Sequence, residues 1–287
     1  MYAVTGITGQ VGGVVARSLL AQGRNVRAVV RTAEKGEPWA TRGCEVAIAD
    51  FHDVSALSRA CGAVEAVFVM LPPVFDPSPD FRESRSTIAA LCEALTAAGP
   101  SRLVALSTIG AQVGQPNLLN QLGIMEDEFR KLSMPVTFLR AGWFFENSVW
   151  DVEAARTNGV IPTFLQPLDK PVPMVGTEDI GRLAAKLLQE SWTGTRVVEL
   201  EGPRRVTPNE IATAFSAALD RPVRAEIVPR SEWEQLFRSH GMTNPLPRMQ
   251  MIDGFNEGWI EFEAPHASQK GNVTLETVIR QLVERSA

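Results

Sequence analysis

The stretch "TGITGQVGG", residues 5–13, decides how the rest of the chain is read. It follows a short β-prone run, Tyr2-Ala-Val-Thr5. It precedes a helical pattern with Val11, Val14, Val15 and Leu19 on one face, which Gly23 ends. Glycines recur at Gly6, Gly9 and Gly12, and between a strand and a helix that spacing predicts a cradle for a pyrophosphate. Gly6 permits the tight turn, Gly9 the close approach of a phosphate, and Gly12 the packing of helix on sheet. The free N–H groups and positive dipole end of a helix starting near Gln10 favour an anion there. Thr8, Gln10 and Val11 belong to the same cradle. A glycine-rich turn that serves packing alone is the plain alternative.

Outward from this loop, strands and helices alternate. "NVRAVVR" (25–31), "CEVAIAD" (44–50), "EAVFVML" (65–71), "RLVALS" (102–107) and "PVTFLR" (135–140) read as further strands. The nearly uninterrupted apolar run at 65–71 suits a strand buried on both faces, as a parallel sheet requires. "VSALSRACG" (54–62), "STIAALCEALTAAG" (86–99) and the spacing of Leu122, Met125, Phe129 and Leu132 read as the intervening helices. The expected fold is α/β: a Rossmann-type doubly wound parallel sheet with a smaller, mostly helical C-terminal lobe. After residue 147 the rhythm breaks, and residues 157–176 hold four prolines. "TEDIGRLAAKLLQE" (177–190) resumes as a helix and "RVVEL" (196–200) as a strand. Thr207-Pro-Asn-Glu210 is a capping box, and Ser231-Glu-Trp-Glu234 reads as a second one. "VRAEIVP" (223–229) is a candidate strand. The expected division is residues 1–147 and 176–203 for the nucleotide fold, and 148–175 with 204–287 for a discontinuous substrate lobe.

In such folds an acidic residue at the end of the second strand holds a ribose 2′-hydroxyl. Here the position is Arg31, with Lys35 one helical turn on. Arginine grips a 2′-phosphate through paired, charge-assisted hydrogen bonds, which points to NADP(H) over NAD(H). Asp50 and Phe51 follow the third strand, where a polar acceptor and a flat ring suit an adenine. Leu71 and Pro72 end the fourth strand, where the central part of a dinucleotide crosses.

The 287 residues are 45 % apolar and 21 % charged, ordinary for a globular chain, and suffice for one large domain or two smaller ones. A net charge of −5 argues against a nucleic-acid surface, and the basic pair Arg204-Arg205 is too short to be a patch. No apolar run is long enough to span a membrane, and the first residues enter a strand with no room for a signal peptide. Cys44, Cys61 and Cys92 show no metal or disulfide spacing and read as reduced thiols of a cytoplasmic protein. His52, His240 and His266 are far apart in sequence, so no metal site is expected. A homodimer is left open.

These motifs resemble the NmrA-like group of atypical short-chain dehydrogenases/reductases. "TGITGQVGG" resembles that group's TGxTGxxG loop and "VRAVVR" its second strand. "LRAGWFFEN" (139–147) and "TEDIGRLAAKLL" resemble further shared segments, so the resemblance covers most of residues 1–220. It implies an NADPH-dependent reductase of the quinone or isoflavone type, or a regulator that binds NADP(H) without turning it over. The wider superfamily places a Tyr-x-x-x-Lys pair on the helix after the fifth strand. Here that helix reads "LGIMEDEFRKL" (122–132), and the single tyrosine is Tyr2. The usual pair is therefore absent.

Ser107 and Thr108 match the superfamily's serine position and are the candidate catalytic hydroxyls, with Glu146 and Asn147 near the same edge. Glu126-Asp127-Glu128 reads chiefly as a solvated helix face, with a general acid as the rarer alternative, and Lys131 as solvent-facing. Trp143, Phe144, Asn147, Trp233 and Phe255 are candidate substrate residues. With Phe145, Trp150, Phe237, Met242, Met249, Met251 and Trp259 they either line a pocket for a flat aromatic or quinonoid ligand or form the lobe's own core. A quinone is electrophilic already, so hydride transfer to it does not demand a strong protein acid. Three functions follow: an NADPH-dependent quinone reductase, an NADP(H) sensor, or an aromatic-pathway enzyme that keeps the fold and no longer uses the cofactor.

Overall fold

The computed structural model describes residues 1–286. In its first half, strands and helices alternate without exception. β1 (Tyr2–Val4), α1 (Gln10–Ala21), β2 (Val26–Val30), α2 (Ala33–Ala40), β3 (Glu45–Ile48) and α3 (Val54–Cys61) come first. β4 (Ala66–Val69), α4 (Arg82–Ala98), β5 (Leu103–Thr108), α5 (Asn120–Phe129) and β6 (Val136–Ala141) follow. Then come β7 (Trp143–Phe144), a 3-10 turn over Phe145–Asp151, α6 (Val152–Asn158), β8 (Val160–Thr163) and β9 (Met174–Val175). The remaining elements are α7 (Thr177–Gln189), β10 (Thr195–Glu201), α8 (Pro208–Leu219), β11 (Arg224–Ile227), α9 (Trp233–Ser239), α10 (Leu246–Glu257), β12 (Gln269–Lys270) and α11 (Leu275–Arg285).

Eight strands form one sheet in the order β12-β10-β6-β5-β4-β1-β2-β3. β1 lies between β2 and β4 and pairs parallel with both. The order therefore reverses at β1, where a doubly wound sheet opens a crevice at the C-terminal ends of its strands. β4 is buried along its whole length, as its apolar sequence requires. The expected strands and helices of this region all form.

The chain divides into two compact units. The first comprises Met1–Ser107, Gln121–Arg140 and Ile180–Val198, and the second Thr108–Asn120, Ala141–Asp179 and Glu199–Ala287. Residues 108–120, 141–147, 176–179 and 199–203 thus cluster with the second unit, although the strand rhythm alone groups 1–147 and 176–203 together. Each unit has its own core. That of the first packs Leu57, Val67, Leu91, Leu103, Phe129 and Phe138. That of the second packs Phe145, Ile161, Phe215, Trp233, Phe237 and Ile279. β8 pairs with β11 and β7 with β9, so the proline-rich stretch 157–176 carries two short strands.

Thr207 caps α8 as expected: it accepts from the Glu210 N–H, and Glu210 returns the bond to the Thr207 N–H. The second expected box is not formed. Residues Arg230–Glu232 make a 3-10 turn, and α9 begins at Trp233 with no side-chain cap. The physical reason is Trp233 itself. Its ring is fully buried and its Nε1 donates to the Val228 carbonyl, so the tryptophan, not Ser231, fixes the helix start.

Candidate active site

β1 delivers the chain into the glycine loop with Thr5 buried beneath it; Thr5 N–H donates to the Phe68 carbonyl, and its Oγ1 accepts from Met70 N–H. The loop is thus tied to the end of β4. Gly6 has φ +61°, a conformation glycine adopts without cost. At Gly12 a Cβ would stand 2.3 Å from the Gly6 carbonyl oxygen, so only glycine lets α1 rest on the loop. Gly9 is the N-cap of α1; it supplies no side-chain cap, and the first helical turn holds no acid. The first-turn N–H groups are left without carboxylate competition, as an anion cradle needs. Thr8, Gly9 and Gln10 are exposed and Val11 is buried.

Beside this loop lies a cavity of about 340 Å³ lined by Ile7, Thr8, Gly9, Gly13, Arg17, Lys35, Pro38, Trp39 and Arg42. Three of its wall residues are cations and none is an acid. Trp39 is buried, with the Arg42 guanidinium 5.5 Å from its ring centre. Arg42 also donates to the Pro38 carbonyl at 2.6 Å. Lys35 is in the cavity wall; Arg31 lies exposed at the end of β2, outside that wall. Beyond β3, Asp50 is exposed and its Oδ1 accepts from the His52 N–H at 2.9 Å, while Phe51 is half-buried against the core of the first unit. Leu71 is buried and Pro72 exposed after β4.

Ser107 is buried, and its hydroxyl donates to Glu126 Oε1 at 2.6 Å. Glu126 corrects the expectation of a wholly solvated acidic helix face. Its carboxylate is 3 % exposed and accepts from Arg140 Nε at 2.9 Å and Nη2 at 2.7 Å. Arg130 adds a third contact at 3.2 Å. A buried carboxylate persists when a guanidinium meets it with two parallel bonds, as here. Asp127 and Lys131 do face solvent. Thr108 is half-buried.

In the second unit Trp143 and Phe144 are half-buried, and Trp143 meets Phe255 edge-on with ring centres 5.1 Å apart. Asn147 is exposed and Trp233 wholly buried in the core, with Phe164 edge-on to it. The Glu146 carboxylate accepts from the Thr177 N–H and hydroxyl at the start of α7, and burial pushes its pKa up. No group of three or more metal-ligating side chains stands together among the described residues.

With this geometry in place, the family model described as the NmrA-like family matches residues 2–269. The chain belongs to the NmrA-like family. Among its curated relatives is the NAD(P)H azoreductase of Xenophilus azovorans, 31 % identical over 259 residues, 90 % of this chain and 85 % of the relative. Quinone oxidoreductase 2 of Escherichia coli is 26 % identical over 253 residues, covering 87 % of this chain and 85 % of that one. The solved structure of an Escherichia coli NADPH-dependent quinone oxidoreductase in complex with NADPH gives a TM-score of 0.81 at 23 % identity. It covers 98 % of this chain and 99 % of its own, a likeness of fold.

Within this NmrA-like chain, sequence reasoning misses Arg17, Trp39 and Arg42, which join the cavity from α1, α2 and the turn after it. No apolar periodicity announces α2, since "AEKGEPWA" has one large apolar residue and an internal proline. The arginines that share the cavity wall with the loop are therefore not the one at the motif's position, Arg31. The Glu126–Arg140 pair is likewise invisible in a local pattern, because 14 residues separate its members.

Proposed function

We propose that the protein is an NADP(H)-dependent oxidoreductase that reduces a quinone or another flat conjugated carbonyl, without a Tyr/Lys pair. The observation that carries the cofactor half is the acid-free, three-cation cavity beside an uncapped helix start. A ribose 2′-phosphate is a compact dianion, and Arg17, Lys35 and Arg42 match its charge where an acid would repel it. Arg31 at the strand end adds a fourth cation, and Asp50 with Phe51 suits the adenine. Gly6, Gly9, Gly12 and the N–H groups after Gly9 would hold the pyrophosphate, and Leu71 and Pro72 flank its continuation. When bound, the cofactor supplies a hydride.

The protein's own part is to place the acceptor and keep water in check. Tyr2 is buried in β1 with its hydroxyl on Glu65, which supports a mechanism without it. The Ser107 hydroxyl donates its hydrogen bond to Glu126 and keeps only acceptor capacity for a neighbour, so Thr108 is the better donor to a reduced oxygen. Trp143, Phe144 and Asn147 are the accessible substrate residues, with Phe255 behind Trp143; Trp233, wholly buried against Phe164, belongs to the lobe's core and not to the site. The azo and quinone relatives favour flat, electron-poor acceptors. Free Cys44, Cys61 and Cys92 suit a reducing, cytoplasmic compartment.

The test is fluorescence titration with NADPH, NADP⁺ and NADH, followed by NADPH oxidation with a quinone panel. Tight NADPH binding with quinone turnover supports the proposal. Binding without turnover of any acceptor leaves a sensor, and no binding overturns the cofactor assignment. Arg31→Asp should weaken NADPH by more than tenfold and NADH by less than threefold; equal losses would show that Arg31 does not hold the 2′-phosphate.

A further inference from the structure

Half-buried cations of the second unit generally meet oxygen. Arg205 is held by Glu201 and Glu261, and Lys170 donates to the Asn256 carbonyl. Arg248, in the first turn of α10, differs. Its guanidinium lies over the Phe237 ring at 4.6 Å, and its Nη1 meets the Met242 sulfur at 3.8 Å. Among the described residues no carboxylate lies within ion-pair distance of it, and burial lowers its pKa with no countercharge to oppose the shift. Stacking occupies the face of a guanidinium and leaves its rim of N–H donors open to a pair of anionic oxygens. A partly desolvated cation is costly when left alone, and an incoming anion relieves that cost.

Phe255 lies seven residues further along α10, two turns on and on the same face as Arg248. At 1.5 Å per residue the two positions are about 10 Å apart, the span of a two-ring aromatic with one substituent. Phe255 carries Trp143 edge-on, and Trp143 is half-buried, with part of its ring exposed. We propose that the second unit holds a subsite for the carboxylate or sulfonate of a flat aromatic ligand, with Arg248 on the anion and Trp143, backed by the buried Phe255, on the ring. The assignment of that ligand as the acceptor rests on the reductase reading above; the subsite itself does not.

The experiment compares 2-naphthalenesulfonate with neutral 2-naphthol by tryptophan-fluorescence titration of the wild type, Arg248→Gln and Arg248→Lys. Thermal melting and NADPH titration check that the variants fold. In Arg248→Gln the sulfonate should bind about tenfold more weakly and the naphthol change less than twofold. Arg248→Lys, which keeps the charge and loses the stacked fork, should recover part of the loss. Equal sulfonate affinity in wild type and Arg248→Gln, or a parallel loss of both ligands, overturns the proposal. Should Arg248→Gln not fold, salt serves instead: sulfonate binding to the wild type should weaken between low and high salt while naphthol binding holds, and a salt-independent sulfonate affinity overturns the subsite. NADPH oxidation with a naphthoquinone and its carboxylated analogue separates the two readings. If neither is reduced while the sulfonate still binds through Arg248, the reductase reading falls and the anion subsite stands.

Discussion

At the glycine loop of the first unit, Arg17, Lys35 and Arg42 line one cavity that holds no acid. In the second unit, carboxylates and donors mostly answer each other. Glu201 takes Arg205, Lys270 and Ser268; Glu199 takes two backbone N–H groups at Glu263 and Ala264; Asp179 takes those of Asn272 and Val273. Arg17, Lys35 and Arg42 are exposed and water solvates them, but three like charges gathered with no acid among them make a positive field that favours an anion. The contrast supports the proposed placing of a charged ligand at the first unit's loop. It also makes the second unit's unmatched groups, Arg248 and Asp151, informative as exceptions.

The largest effect tests whether the loop is shaped for packing or for a ligand. Gly12→Val places atoms inside the Gly6 backbone and should cost more than about 4 kcal/mol, read as loss of soluble protein or a collapse of Tm. Gly9→Ala meets only the Gly6 carbonyl, at 3.2 Å, so Tm should fall little while NADPH binding weakens at least tenfold. Should Gly9→Ala bind NADPH as tightly as the wild type, the loop would be a packing device and the contrast between the units would lose its meaning.

Next in size is a cation of the first unit that does have its partner. Glu126→Ala removes both carboxylate bonds of Arg140, which is 2 % exposed, and should cost about 3–5 kcal/mol by chemical denaturation. Glu126→Gln keeps acceptor capacity and should cost less. If Glu126→Ala is neutral, losing its carboxylate costs a buried guanidinium little here, and the weight placed on cations without a carboxylate elsewhere in the molecule is misplaced.

The legible parts of this fold are those whose causes are local. Strand–glycine–helix order, the apolar run of β4 and the Thr207 capping box each act within a few residues, so pattern alone finds them. Glu126 shows where that ends. Its neighbours Asp127 and Glu128 make the segment look solvated, and only Ser107 and Arg140, brought in by β5 and β6, turn one carboxylate inward. Trp233 shows the converse. An aromatic in a lobe suited to ligands reads as a lining residue, but the Val228 carbonyl and Phe164 hold it in the core. Arg17 and Arg42 were illegible because a cavity wall is assembled from elements whose mutual approach no periodicity encodes.

The smallest effect concerns the second unit's other exception. Asp151, at the end of the 3-10 turn, has its carboxyl pushed up to about 7 by burial alone, from an ordinary 3.8. Well below 3.8 the group is protonated in both folded and unfolded chains and adds no pH dependence. As pH rises from 4 to 7 the unfolded chain releases its proton while the folded one keeps it, so stability falls across that window. Above about 7 both forms are ionised and the loss is complete, on the order of 2–4 kcal/mol. Asp151→Asn should therefore raise Tm at pH 8, leave it nearly unchanged at pH 4, and flatten the slope between. A variant equally stabilised at both pH values would mean that Asn improves packing without removing a charge. An unchanged slope would mean that Asp151 finds a compensating donor and is no exception to the second unit's pairing.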